Sequence, residues 1–342
     1  MDMYNWIKEQ INLDEKKSMP LLSFPSVQML NITVKELISE SSNLALGIKM
    51  IADKYPMCAA VAFMDLSVEA EAFGSKTVYS ADEVPTIIGS IVKNEEEAKS
   101  LKVPEVGAGR TRANIEGVEK ALKLVTDRPV FAGCIGPFSL AGRLMDVNEA
   151  MVNCYEEPEM VHILLNKVTD FLIDYIIEYK KTGVHGIIMA EPLAGILSPG
   201  LMQEFSTEYV KKIVDATQEE DFLVIYHNCG NETIRLIDSI LQTGCKVFHF
   251  GDAIDMTEMV GKIPSDCLVM GNISPAKQFR NGTEQSIKEV TTKLLEDCKD
   301  YPNFIISSGC DIPPLTEMDN IDAFFEAVDS FYYKQRLLQL IA

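Results

Sequence analysis

Basic residues are scarce in this 342-residue chain: 31 lysines and arginines stand against 51 aspartates and glutamates, the formal net charge is −20, and no arginine precedes Arg110. The pI is near 4.6. A field of that sign repels nucleic acid and anionic lipid surfaces unless basic residues cluster locally, and none do. No apolar run approaches the roughly 18 residues of a membrane span, and the polar, acidic first 20 residues contain no apolar signal core. These absences predict a cytoplasmic protein with no membrane or nucleic-acid partner. Repeats of fixed period, low-complexity tracts and Pro/Gly/Ser-rich linkers are also missing, so residues 1–342 read as a single domain. The eight cysteines are scattered, which argues against a disulfide framework. Six of them (Cys58, Cys134, Cys154, Cys245, Cys267 and Cys298) lie in apolar or helical contexts and are expected in the core.

What is present is a large apolar fraction, 47%, arranged in short runs at 20–24, 59–65, 129–136, 186–192, 222–229, 246–251, 267–273 and 304–310. Stretches with apolar spacing of three and four, such as 161–179, 201–217 and 284–297, separate most of them and read as helices. Strands alternating with helices imply parallel βα units, and eight such units close into an α/β (β/α)8 TIM barrel. The longest connection, 66–128, exceeds an ordinary crossover and reads as an insertion at the barrel mouth after the second strand. The stretch 316–340 reads as a closing helix whose apolar face, with Phe324, Phe325, Val328 and Phe331, belongs to the core.

Two cysteines differ from the rest. In Val224-Ile225-Tyr226-His227-Asn228-Cys229-Gly230-Asn231, alternation aims His227 and Cys229 at one side of a strand and turns Asn228 away. Cys310 ends a similar run 81 positions later. A His-x-Cys pair alone fits a buried core as well as a metal. Cys310 at an equivalent strand mouth changes the balance, because barrel active sites gather at the C-terminal ends of the strands. Three protein ligands leave a fourth tetrahedral position open, as in catalytic zinc sites. The same rim collects Asp65, Glu191, Asp252 and Asn272.

Several motifs resemble the uroporphyrinogen decarboxylase superfamily, and within it the zinc-dependent methylcobamide:coenzyme M methyltransferases. They are the segment from Asp65 to Gly74, the turn Ile135-Gly136-Pro137-Phe138-Ser139-Leu140-Ala141-Gly142, the turn Gly271-Asn272-Ile273-Ser274-Pro275, His227-Asn228-Cys229-Gly230-Asn231, and Ser308-Gly309-Cys310 followed by Pro313, Thr316 and Asn320. The resemblance runs through most of the chain and implies zinc bound by His227, Cys229 and Cys310. Asp65 matches the decarboxylases' substrate-binding aspartate. The arginine-rich N-terminal motif of those enzymes is absent, and a polycarboxylate tetrapyrrole needs several cationic partners.

The implied reaction moves a methyl group from a methylated corrinoid, carried on a transiently docked corrinoid protein, to a zinc-bound thiol such as coenzyme M. Two cysteinate ligands would keep that thiol nucleophilic. On this reading Glu191 is a possible fourth ligand when substrate is absent, and Asp65 orients His227 through its second ring nitrogen. Asp65, Asn272, Arg110 and Arg143 then line the cofactor and substrate site, and Arg110, Arg112 or Arg143 holds the sulfonate of coenzyme M. Other readings are a substrate:corrinoid methyltransferase working in the demethylating half-reaction, a decarboxylase of a smaller tetrapyrrole, and a corrinoid chaperone. The acceptor could instead be another thiol or tetrahydrofolate, and the oligomeric state is open.

Overall fold

Short apolar runs covered on both sides by helices form parallel strands, and seven of the eight expected strands appear in one curled parallel sheet. The computed structural model describes residues 1–341. In chain order the strands are β1 (Ala60–Val61), a small hairpin β2 (Lys76–Val78) and β3 (Thr86–Ile88), then β4 (Val130–Ile135), β5 (Gly186–Ala190), β6 (Leu223–Asn228), β7 (Val247–Phe250), β8 (Leu268–Ile273) and β9 (Phe304–Ser308). The sheet order is β1-β4-β5-β6-β7-β8-β9, every pairing parallel. Alternation splits the strand residues into two cores. Ile188, Ala190, Ile225, Val247, Met270 and Ile305 fill the lumen, whereas Met189, Val224, Tyr226, Phe248 and Ile306 pack outward on the helices.

The first expected strand, 20–24, forms no ladder. Pro20 has no N–H to give, and the segment before it closes the barrel with single bonds instead. Met19 N–H donates to the Ile306 carbonyl at 3.1 Å, Cys58 N–H donates to the Ser18 carbonyl at 3.1 Å, and Leu21 N–H donates to Ser308 Oγ at 2.9 Å. These contacts bridge β9 to β1. The N-terminal helix Met3–Asn12 plugs the opposite end, with Trp6 set 5.8 Å from the ring of Phe131 in the lumen. The C-terminal helix Met318–Ile341 packs outside, burying Phe324, Phe325, Val328 and Phe331 as expected. No described helix is long and apolar enough to cross a membrane.

The connection between β1 and β4 carries the helix Val68–Ala72, the hairpin, and the helices Glu95–Ser100 and Thr111–Leu124. Its first helix places Glu69 behind the sheet, where one carboxylate oxygen accepts the Ile135 N–H at 3.0 Å and the other has no partner. Burial pushes this carboxyl up to about 7. The folded state therefore holds a proton that the unfolded chain, titrating near 4.5, has released, and stability falls as pH rises from about 4.5 to 7. We expect Glu69→Gln to be more stable than the parent by up to about 3 kcal/mol at pH 8, with the gap shrinking toward pH 5. Urea denaturation of both proteins at the two pH values measures it.

Candidate metal centre

Strand β6 sends Ile225 and His227 into the lumen, and Cys229 continues that parity just past the strand end. Strand β9 ends at Ser308, and Gly309 turns the chain so that Cys310 returns over the same mouth. One ring nitrogen of His227 and the two Sγ atoms lie within 4.8 Å of one another, with Cys310 Sγ 3.6 Å from His227 Nε2. Two glycines permit this approach. A Cβ on Gly251 would stand 2.4 Å from the Cβ of Cys229, and one on Gly309 would stand 2.7 Å from the backbone nitrogen of Asp252. The two cysteines are half-buried at the rim while the other six are fully buried.

The donor set fits zinc. The neighbouring Cys310 thiol lowers the Cys229 pKa against the opposing effects of burial and of the Asp252 charge. The closeness of Cys229 and burial push Cys310 up to about 12. A cation bound between them would take both cysteines as thiolates. Two soft sulfurs and one imidazole match zinc preferences, with one tetrahedral position left over.

The expected helpers fall elsewhere. Glu191 follows lumen-facing Ala190 and therefore points outward, completely buried behind the sheet. Its carboxylate accepts the N–H groups of Phe138 at 2.7 Å and Ser139 at 2.8 Å and the Ser206 hydroxyl at 3.1 Å. It caps the N-terminus of the helix Pro137–Met145, where an anion is favoured, and is turned away from the metal site, so the fourth-ligand expectation is not met. Asp65 does not orient His227 either. One of its oxygens accepts from Ser67 and the other is paired with Arg110. The second ring nitrogen of His227 meets His249 instead, Nδ1 to Nδ1 at 2.8 Å.

The arginines divide sharply. Arg110 is committed: besides Asp65 it binds Glu71 at 2.6 Å and Ser67 at 2.7 Å, and its plane lies over Tyr79. Arg112 lies on the outer flank with Glu105, Asp174 and Glu178. Arg143, near the end of the helix that follows β4, is half-buried and has neither an ion pair nor a side-chain hydrogen bond among the described residues; burial lowers its pKa against the opposing charge of Asp65, as expected for a cation short of partners. Asn272 spends both amide hydrogens on the carbonyls of Gly251 and Ile254, at 2.9 and 3.0 Å, and so pins the loop carrying Asp252 rather than presenting them to a ligand.

Residues 26–331, most of the chain, match the uroporphyrinogen decarboxylase (URO-D) family. The chain belongs to the uroporphyrinogen decarboxylase family. Within it, the chain is similar to the methylcobamide:CoM methyltransferase MtbA of Methanosarcina acetivorans, 28% identical over 279 residues that cover 79% of this chain and 78% of the relative. It is also similar to the uroporphyrinogen decarboxylase of Pseudoalteromonas translucida, 25% identical over 293 residues that cover 82% and 81%. Among solved structures, a methyltransferase from Methanosarcina mazei superposes with a TM-score of 0.81 at 20% identity, covering 93% of both chains. This supports the barrel fold, and the named relatives are enzymes.

Three residues at or beside this site escape sequence reading. His249 and Ser307 sit inside apolar strand runs. Asp311 follows Cys310 and accepts the Met64 N–H at 3.2 Å, tying the end of β1 to the cysteine loop. Parity offered one signal: His249 shares the lumen-facing phase of Val247, in the strand next to that of His227.

Proposed function

We propose that this chain is a zinc-dependent methyltransferase that moves a methyl group from a methylated corrinoid to a thiol such as coenzyme M. The observation that carries this reading is the meeting of His227, Cys229 and Cys310 at one point in the barrel mouth. Zinc held there would present a bound thiol as its thiolate at neutral pH, where a thiol of pKa about 8.5 is mostly protonated. The acceptor thiol loses its proton to solvent, its sulfur bonds to the methyl carbon, and the carbon–cobalt bond breaks with its electron pair left on cobalt.

Arg143 is the guanidinium best suited to hold an acceptor's anionic end, because Arg110 is consumed by Asp65 and Glu71. The absence of any arginine before Arg110 disfavours the decarboxylase reading, since a polycarboxylate tetrapyrrole needs several cationic partners. A corrinoid protein would dock over the mouth, and a net charge of −20 favours a partner with a positive face and a salt-sensitive encounter.

The test is incubation with methylcobalamin and candidate thiols while following the cob(I)alamin spectrum and the thioether formed. Transfer to 2-mercaptoethanesulfonate is expected, with Arg143→Gln raising its KM roughly 10- to 100-fold at little cost in kcat. Transfer to uncharged 2-mercaptoethanol should be nearly indifferent to that change. No demethylation with any acceptor would remove the proposal; equal effects on the two thiols would remove Arg143 from it.

A further inference from the structure

We infer that His249 is a positioning residue that fixes the ring tautomer and orientation of His227, so that the Nε2 lone pair of His227 faces the two cysteines. The argument begins at a backbone carbonyl. Ser307 Oγ lies 2.7 Å from the carbonyl oxygen of Met19, and a carbonyl can only accept. The single hydroxyl hydrogen of Ser307 is therefore spent there. Toward His249 Nε2, 2.7 Å away, Ser307 Oγ must accept, which places a hydrogen on that nitrogen. A neutral imidazole with Nε2 protonated has a lone pair on Nδ1. His249 Nδ1 is 2.8 Å from His227 Nδ1, so His227 donates there and leaves its own Nε2 bare, on the side of Cys310 Sγ.

The relay is buried from end to end: His227 is 1% exposed, and His249 and Ser307 are 0%. It crosses a lumen otherwise filled by Ile225, Val247, Met270 and Ile305, where an aliphatic side chain would pack at no polar cost. His227 and His249 are register partners on β6 and β7, with ring planes at 66°. Ser307 reaches the same level from β9, and Met19 belongs to the segment that closes the barrel. The orientation of the imidazole facing the two cysteines is thus set by the segment that closes the barrel, on the far side of the lumen.

This inference rests on His227 as a ligand, but one readout does not. In the metal-free protein, 15N NMR of the imidazoles should show His227 with its hydrogen on Nδ1, and in His249→Leu as a mixture or with the hydrogen on Nε2. Zinc or Co2+ affinity, measured by competition with a chelator, should fall roughly 10- to 100-fold in His249→Leu. His249→Asn, which keeps an acceptor near the Nδ1 position, should recover part of the loss, and Ser307→Ala should show a smaller loss. A protein in which His227 keeps its tautomer and its affinity in His249→Leu overturns the inference, whatever happens to thermal stability. If the parent chain binds no metal, the proposed function fails, while the tautomer measurement still decides the relay.

Discussion

Cys310→Ala is expected to fold as the parent does and to lose both its metal and methyl transfer. Cys310 lies in the loop after β9, half-buried, and belongs to neither core cluster, so folding of the metal-free protein should change by no more than about 1 kcal/mol. Metal binding is another matter. Zinc bound by four ligands is worth about 10–16 kcal/mol, roughly 3 kcal/mol for each, so one lost sulfur lowers affinity by about 100-fold or more. The remaining His227 and Cys229 form a weak two-ligand site, and Cys229 also loses the neighbouring thiol that lowers its pKa. Metal analysis after dialysis should fall from about one zinc per chain to well below that, with transfer falling alongside. Full zinc retention in Cys310→Ala would contradict the assignment of this residue.

Arg110→Ala should be the most damaging substitution for stability at the mouth. The guanidinium is paired with Asp65, whose side chain is 2% exposed, and with Glu71 at 22%. Removing it strands buried carboxylates, and breaking such a pair costs about 3–5 kcal/mol, more than deleting both partners would. For a chain of this size that corresponds to a fall in Tm on the order of 5–10 °C. Arg143→Ala, with no such partner to strand, should leave Tm nearly unchanged and act on substrate binding instead. Differential scanning calorimetry of the two variants measures the contrast, and equal Tm values would refute the division of roles between the two arginines.

The barrel and its candidate metal ligands were legible because each depends on a local pattern. Alternation along 225–229 places His227 and Cys229 on one side, and the apolar runs mark β4 to β9. The first strand was not legible, since its bonds run to β9 and to Cys58 rather than along a ladder, and Pro20 interrupts it. Glu191 was expected to face the metal and instead lies behind the sheet: the pairing of Ala190 with His227 shows that the residue after Ala190 faces outward. Asp65 and Arg110 are separated by 45 positions, and neither residue's surroundings in sequence announce the pair. His249 stood in plain view as one histidine in an apolar strand, a pattern that a filled lumen produces as readily as a functional relay.

Zinc K-edge X-ray absorption, recorded on the purified protein with and without its acceptor thiol, tests the central claim most directly. Cys229 and Cys310 should supply two sulfur scatterers beside the His227 nitrogen, rising to three sulfurs when the thiol is added. An unchanged sulfur number at thiol concentrations that support methyl transfer would contradict the account.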